Sequence, residues 1–166
     1  MRSALAALIA GSIATPCLAQ EPVGCDKFKW PLDKEQAMLK GDATTVASGT
    51  RLSGAVPLAV TVSLVPFAEA KLPVPPERAP KSPASYGGFV DIAAPLAGGS
   101  YKVTLSSEGW IDLVQGGHLV KSTAFTGALG CEGVRKSVKF DVAAQPMTVE
   151  LSGVASSTIR MAVTGD

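Results

Sequence analysis

Residues 101–126 read YKVTLSSEGWIDLVQGGHLVKSTAFT, and the alternation inside that stretch decides the fold class. Tyr101, Val103 and Leu105 alternate with Lys102, Thr104 and Ser106, the period-2 pattern of a strand with one apolar and one polar face. A second run, residues 110–115, is separated from a third, residues 118–123, by Gly116-Gly117. Two glycines at the centre of a two-residue turn can both take positive φ, as a type I′ hairpin requires. Counting outward from that turn pairs Val114 with Leu119, Leu113 with Val120, Asp112 with Lys121 and Ile111 with Ser122. Two apolar pairs and one opposite-charge pair support this register. Ile111, Leu113 and Val120 then face the core, while Trp110, Asp112, Lys121 and Thr123 share the other face.

The same alternation recurs on both sides of the hairpin. Before it, residues 57–65 place Leu58, Val60, Val62 and Leu64 on one face, residues 86–94 place Val90 and Ile92 opposite Phe89 and Asp91, and residues 44–52 carry a weaker strand pattern. After it come Val138, Phe140 and Val142; then Met147, Val149 and Leu151; then Ile159, Met161 and Val163. Short strands at such regular spacing predict an all-β protein, an antiparallel β-sandwich or barrel. Between residues 71 and 83, KLPVPPERAPKSP, five prolines exclude helix and central strand, so an extended surface crossover between sheets is expected, with a ligand for a partner domain as the alternative. Pro31 at a first turn, Asp33 and Glu35 at the positive end, and Lys40-Gly41 as a stop predict one short N-terminal helix over residues 31–40, lying across one end of the sandwich.

The first 19 residues combine Arg2, an apolar run and a small residue at Ala19, the pattern of a secretory signal peptide rather than a membrane span. Cys17 follows Pro16, a poor match to a lipid-attachment signal. Residues 20–166 are then a single domain, expected to be periplasmic or secreted, with no membrane span. Without the leader the chain has 14 basic and 14 acidic residues and no charge run, which argues against nucleic acid as partner. Two cysteines remain, Cys25 and Cys131. In an oxidising compartment they are expected to form one disulfide tying the N-terminal segment to the loop after the hairpin. Arg135, Lys136 and Lys139 read as a solvated strand edge that discourages edge pairing.

Catalytic inventory is thin. His118, the single histidine, sits beside the Gly-Gly turn, so a Ser-His-Asp relay has one candidate with nothing to orient it. No Cys/His cluster for zinc, haem attachment motif or phosphate loop is present, and no metal or cofactor is expected. Glu108 and Asp112 fall on one strand face, but strand spacing separates them by roughly 13 Å, too far for a glycosidase pair. The feature with binding potential is Trp110 beside Asp112 and Lys121: an aromatic plate flanked by charge suits a protein or glycan partner in the cell envelope. Packing of Trp110 under the proline-rich segment or the N-terminal helix is the alternative. Trp30, before Pro31, is expected to anchor the disulfide-tied N-terminus.

The succession GGSYKVTLSSEGWIDLVQGGHLV, VRKSVKFDV, MTVELSG and TIRMAV resembles bacterial pre-peptidase C-terminal domains over about residues 86–164. That resemblance implies a jelly-roll-like sandwich of a secreted protein. Trp110-Ile111-Asp112 stands where those domains have an acidic pair, so their calcium binding does not carry over. The whole chain also resembles a group of small exported bacterial proteins with CDKF-W-P near the mature start and G-RKSV-F near the end. A homogentisate dioxygenase-type activity is the enzymatic alternative that goes with that group. It requires iron held by two histidines and a carboxylate, and this chain has one histidine. The expected role is therefore a non-catalytic binding or accessory module.

Overall fold

The computed structural model describes residues 20–93 and 97–166; the expected leader, residues 1–19, and Ala94 at the end of an expected strand lie outside the described residues. Among the described residues twelve strands form two sheets packed face to face. The first sheet has the order β1 (Thr44–Ala47), β3 (Leu58–Ser63), β12 (Thr158–Gly165), β6 (Gly99–Leu105), β10 (Lys136–Val142), β9 (Ser122–Gly127). In the second, β2 (Thr50–Leu52), β5 (Tyr86–Ile92), β11 (Met147–Val154), β7 (Trp110–Gln115) and β8 (His118–Val120) lie in that order, and β4 (Val65–Pro66) adds to β5. Pairing is antiparallel except at β1–β3 and β2–β5, where the weakly patterned residues 44–52 supply two short parallel edges.

The alternating residues do what their period dictates. Val62, Val90, Ile92, Val103, Leu105, Leu113, Val149, Leu151, Met161 and Val163 are fully buried between the sheets, with Phe140 among them. The Gly116-Gly117 turn has φ of 57° and 79°, and Leu113–Val120, Val114–Leu119 and Gln115–His118 pair as counted. There the expected register stops. Lys121 is the point at which the chain leaves the second sheet, and Ser122 starts β9 in the first sheet, opposite Phe140 rather than Ile111. The expected Asp112–Lys121 and Ile111–Ser122 pairs are not made, because β8 is only three residues long before it crosses to provide β10 with an edge partner.

The opposite side closes in the same way. The Ser48 N–H bonds the Ser63 carbonyl in the first sheet, and the Gly49 N–H bonds the Phe89 carbonyl in the second. Gly49 makes that switch with φ of 85°. Leu64 similarly separates β3 of the first sheet from β4 of the second. Continuous runs of chain thus bridge the two sheets at both sides, which limits exposed edge.

Both outer faces are partly covered. A short N-terminal helix, α1 (Asp33–Lys40), lies on the outer face of the first sheet, not across one end: Leu32, Leu39, Val134 and Ala162 form a second apolar cluster there, with Trp30 and Ala59 against it. The Cys25–Cys131 disulfide closes this cover, its Cα atoms 4.8 Å apart. Over the second sheet lies the proline-rich segment, which is not a crossover between sheets: β4 and β5, the strands it joins, both belong to the second sheet. No described helix is long and apolar enough to cross a membrane.

Candidate functional site

Alternation puts Trp110 and Asp112 of β7, and Glu150 and Ser152 of β11, on the outer face of the second sheet. Asp112 lies directly opposite Glu150, and Trp110 opposite Ser152. A face of this kind ordinarily meets water, yet Asp112 is 5% exposed, Glu150 1% and Ser152 2%. The cover is the proline-rich strap. Pinned at one end by the Phe67 N–H to the Ser85 carbonyl (2.9 Å), the strap reaches β11, where the Val74 N–H donates to Glu150 Oε1 at 2.9 Å. It reaches β7 where the Glu77 N–H donates to Asp112 Oδ2 at 3.2 Å. Pro80 then comes back over Gly153 of β11.

Trp110 is consequently a partly covered plate. Its Nε1 donates to Asp112 Oδ1 at 2.9 Å, the Arg78 guanidinium of the strap lies 5.6 Å from the ring centroid, and Lys136 Nζ lies 4.9 Å from it. Lys136 also donates to the Gly109 carbonyl at 3.1 Å. The structure therefore brings Trp110 and Asp112 together and leaves Lys121 outside, exposed beyond the end of the β7–β8 ladder. The packing alternative for Trp110 holds with respect to the strap. Glu150 was not singled out from the sequence: as a polar residue between Val149 and Leu151 it reads as an ordinary solvent-side position, and nothing local signals the strap above it.

Electrostatics follow burial. Desolvation pushes the Asp112 carboxyl above the usual range, outweighing the hydrogen bonds from Trp110 and Glu77 and the nearby Lys136 charge. Glu150 moves up for the same reason, against the Val74 N–H and with the neighbouring Asp112 charge adding to the rise. Lys136 moves down, chiefly because it is desolvated. Two oxygens under the strap, Glu150 Oε2 and Ser152 Oγ, are buried with no hydrogen-bond partner.

The other cover holds a different arrangement. Glu35 of α1, 1% exposed, accepts from Thr164 Oγ1 at 2.5 Å and pairs with Lys102 Nζ at 3.1 Å. Lys102 and Lys139 both reach Asp166, and Lys139 Nζ lies 4.7 Å from the Trp30 ring centroid. Arg135 pairs with Glu21 and Glu108. The basic residues 135, 136 and 139 thus do not form a solvated edge: β10 is flanked by β6 and β9, and each of the three cations has a partner.

His118 is exposed at the hairpin tip. Among the described residues no group of three or more His, Cys, Asp or Glu side chains converges to hold a metal ion. A groove of about 290 Å³ runs along the disulfide, lined by Phe28, Leu32, Gln36 and Val134. Gln36 Nε2 crosses it to the Glu132 carbonyl at 2.7 Å. No protein-family model, curated protein or solved structure matches this chain.

Proposed function

We propose that the protein is a non-catalytic binding or accessory module of the periplasm or the secreted fraction, and that it engages a partner protein of the cell envelope through the outer face of the second sheet. One observation carries this reading: a proline-rich peptide segment already lies across Trp110, Asp112 and Glu150, meeting the two carboxylates through backbone N–H groups and the indole through an arginine. Aromatic and arginine contacts of this kind dominate protein recognition. A glycan platform is less favoured, because Arg78 and Lys136 already lie against the Trp110 ring.

The test is affinity capture from envelope extract with the disulfide-intact chain from residue 20, run beside Trp110→Ala, Asp112→Asn and Lys121→Ala. The expected result is a stoichiometric protein partner whose capture falls at least tenfold with Trp110→Ala and Asp112→Asn and is unchanged by Lys121→Ala. A partner retained equally by all three variants removes this face as the binding surface.

A further inference from the structure

The strap itself describes the ligand. Residues 71–81 make no backbone–backbone hydrogen bond among those of the described residues; the segment is tied down through the Val74 and Glu77 N–H groups and the Arg78 contact. Its two ends are tied together at Phe67, whose N–H bonds the Ser85 carbonyl and whose carbonyl accepts from the Ala70 N–H, with Ala70 buried against Gly87, so the middle can lift without unpairing a strand. Lys71, where the free stretch begins, has φ of 44°, an uncommon conformation for a side chain of its kind. Underneath, Glu150 Oε2 and Ser152 Oγ are buried and accept no hydrogen bond from the described residues. The reason is visible in the sequence of the strap: Val74 is flanked by Pro73 and Pro75, which have no N–H, so Val74 brings a single donor to a two-oxygen carboxylate.

Resting on the reading of this face as the binding surface, we infer that residues 71–81 are an internal occupant of a peptide groove, and that the groove's partner is a proline-containing segment that carries a basic side chain to Trp110 and an additional backbone N–H to Glu150. Extended proline-rich segments bind with little ordering cost, and a buried carboxylate pair facing an indole favours a cationic one. The strap must lift for such a segment to enter, so its own contacts lower the apparent affinity by the fraction of time it is seated.

The probes are three synthetic peptides: residues 71–81 as they stand, the same peptide with the two prolines corresponding to Pro73 and Pro75 changed to alanine, and that second peptide with its arginine changed to alanine. Each is titrated into the full mature chain carrying Trp30→Phe, so that Trp110 fluorescence reports the groove, with amide exchange followed over residues 71–81. Expected are binding of the alanine-for-proline peptide on the order of tenfold tighter than the unmodified one, loss of binding without the arginine, and faster exchange of the strap when peptide binds. Arg78→Ala in the protein, which weakens the strap and leaves the groove intact, raises the affinity several-fold. Absence of binding by all three peptides, in both the unmodified and Arg78→Ala proteins, overturns the inference, as does binding that leaves strap exchange unchanged. In that event, envelope capture that still depends on Trp110 keeps the surface and removes only the displacement, whereas capture indifferent to Trp110 removes both.

Discussion

Glu35→Ala is expected to destabilise the protein by about 3 kcal/mol. Glu35 is 1% exposed, and its carboxylate is held by the Thr164 hydroxyl at 2.5 Å and the Lys102 ammonium at 3.1 Å. Removing one member of a buried ion pair costs about 3–5 kcal/mol, because the other charge stays behind uncompensated. Here the lower end applies, since Asp166 remains 3.5 Å from Lys102 and is itself partly in water. Glu35→Gln keeps an acceptor for Thr164 but loses the charge, so about 2 kcal/mol is expected from the weakened charge-assisted bonds. A domain of this size loses roughly 2–4 °C of Tm per kcal/mol, which gives about 6–12 °C for the alanine variant. Urea denaturation at pH 7, with exposed Asp33→Ala on the same helix as the control, measures the difference. The pH dependence supplies a second, independent check. Burial alone would raise the Glu35 pKa, but the Thr164, backbone and Lys102 bonds outweigh it and hold it below the ordinary value. The stability Glu35 contributes is therefore fully present above the unfolded value of about 4.3 and disappears as pH falls through the lower folded value. A Glu35→Ala variant within about 0.5 kcal/mol of wild type, or a wild-type to Glu35→Gln gap that does not shrink in acid, would refute the view of α1 as a cover held by a buried charge pair.

Three further perturbations bear on the sandwich. The Cys25–Cys131 bridge closes 106 residues, for which chain entropy gives about 5 kcal/mol; reduction, or a double serine variant, should lower Tm by roughly 10–20 °C in calorimetry, and a change under about 2 °C would contradict this. At Gly88 an added Cβ would lie 2.7 Å from Ser48 Oγ and 3.0 Å from Leu64 Cδ2, so Gly88→Ala should cost about 1–3 kcal/mol in denaturant titration while Gly54→Ala, in open space, costs little. Phe140→Ala removes a side chain 2% exposed and should cost about 3–5 kcal/mol, whereas Phe125→Ala, at 62% exposure on the β9 edge, should change stability by less than about 1; equal effects would mean the alternation of β10 had been misread.

Much of the core was legible because the period of a strand leaves no freedom: once Val138, Phe140 and Val142 alternate with Lys139 and Asp141, a single face can be buried, and it is. Gly116-Gly117 fixed the local register by the same logic. What alternation does not reveal is which sheet a strand joins. LVKSTAF continues its pattern through Lys121, where the chain passes from one sheet to the other, and no glycine or proline marks the place. Trp110 and Asp112 were therefore placed on the correct face, while Lys121 was credited to a ladder that had already ended. The covers were illegible for a related reason. Glu35 is buried because of Lys102 and Thr164, far along the chain, and Glu150 because of Val74. A polar residue at an outward strand position looks the same in sequence whether water or a strap lies above it.

The two covers use carboxylates in opposite electrostatic states, and this gives acid opposite effects on the two faces. Above the first sheet, Glu35 is held down by Thr164 and Lys102 against its burial, so α1 loses support as pH falls. Above the second, Asp112 and Glu150 are pushed up, mainly by desolvation. They face Glu77 and Arg78 from the strap and Lys136 from β10, and that mixture does not offset the burial. Carboxyls with raised values stabilise the closed strap fully below about pH 4 and lose that contribution as pH rises through the folded values. Acidification from pH 7 to about 4 should accordingly raise the amide protection of Val74 and Glu77, the two strap residues bonded to the pair, while α1 keeps its protection until the pH falls below about 4.3 and loses it on further acidification. Exchange protection factors, corrected for intrinsic rates, measure both segments in one sample. Protection that moves in the same direction on both faces would mean that global stability, and not the local carboxylates, governs the covers.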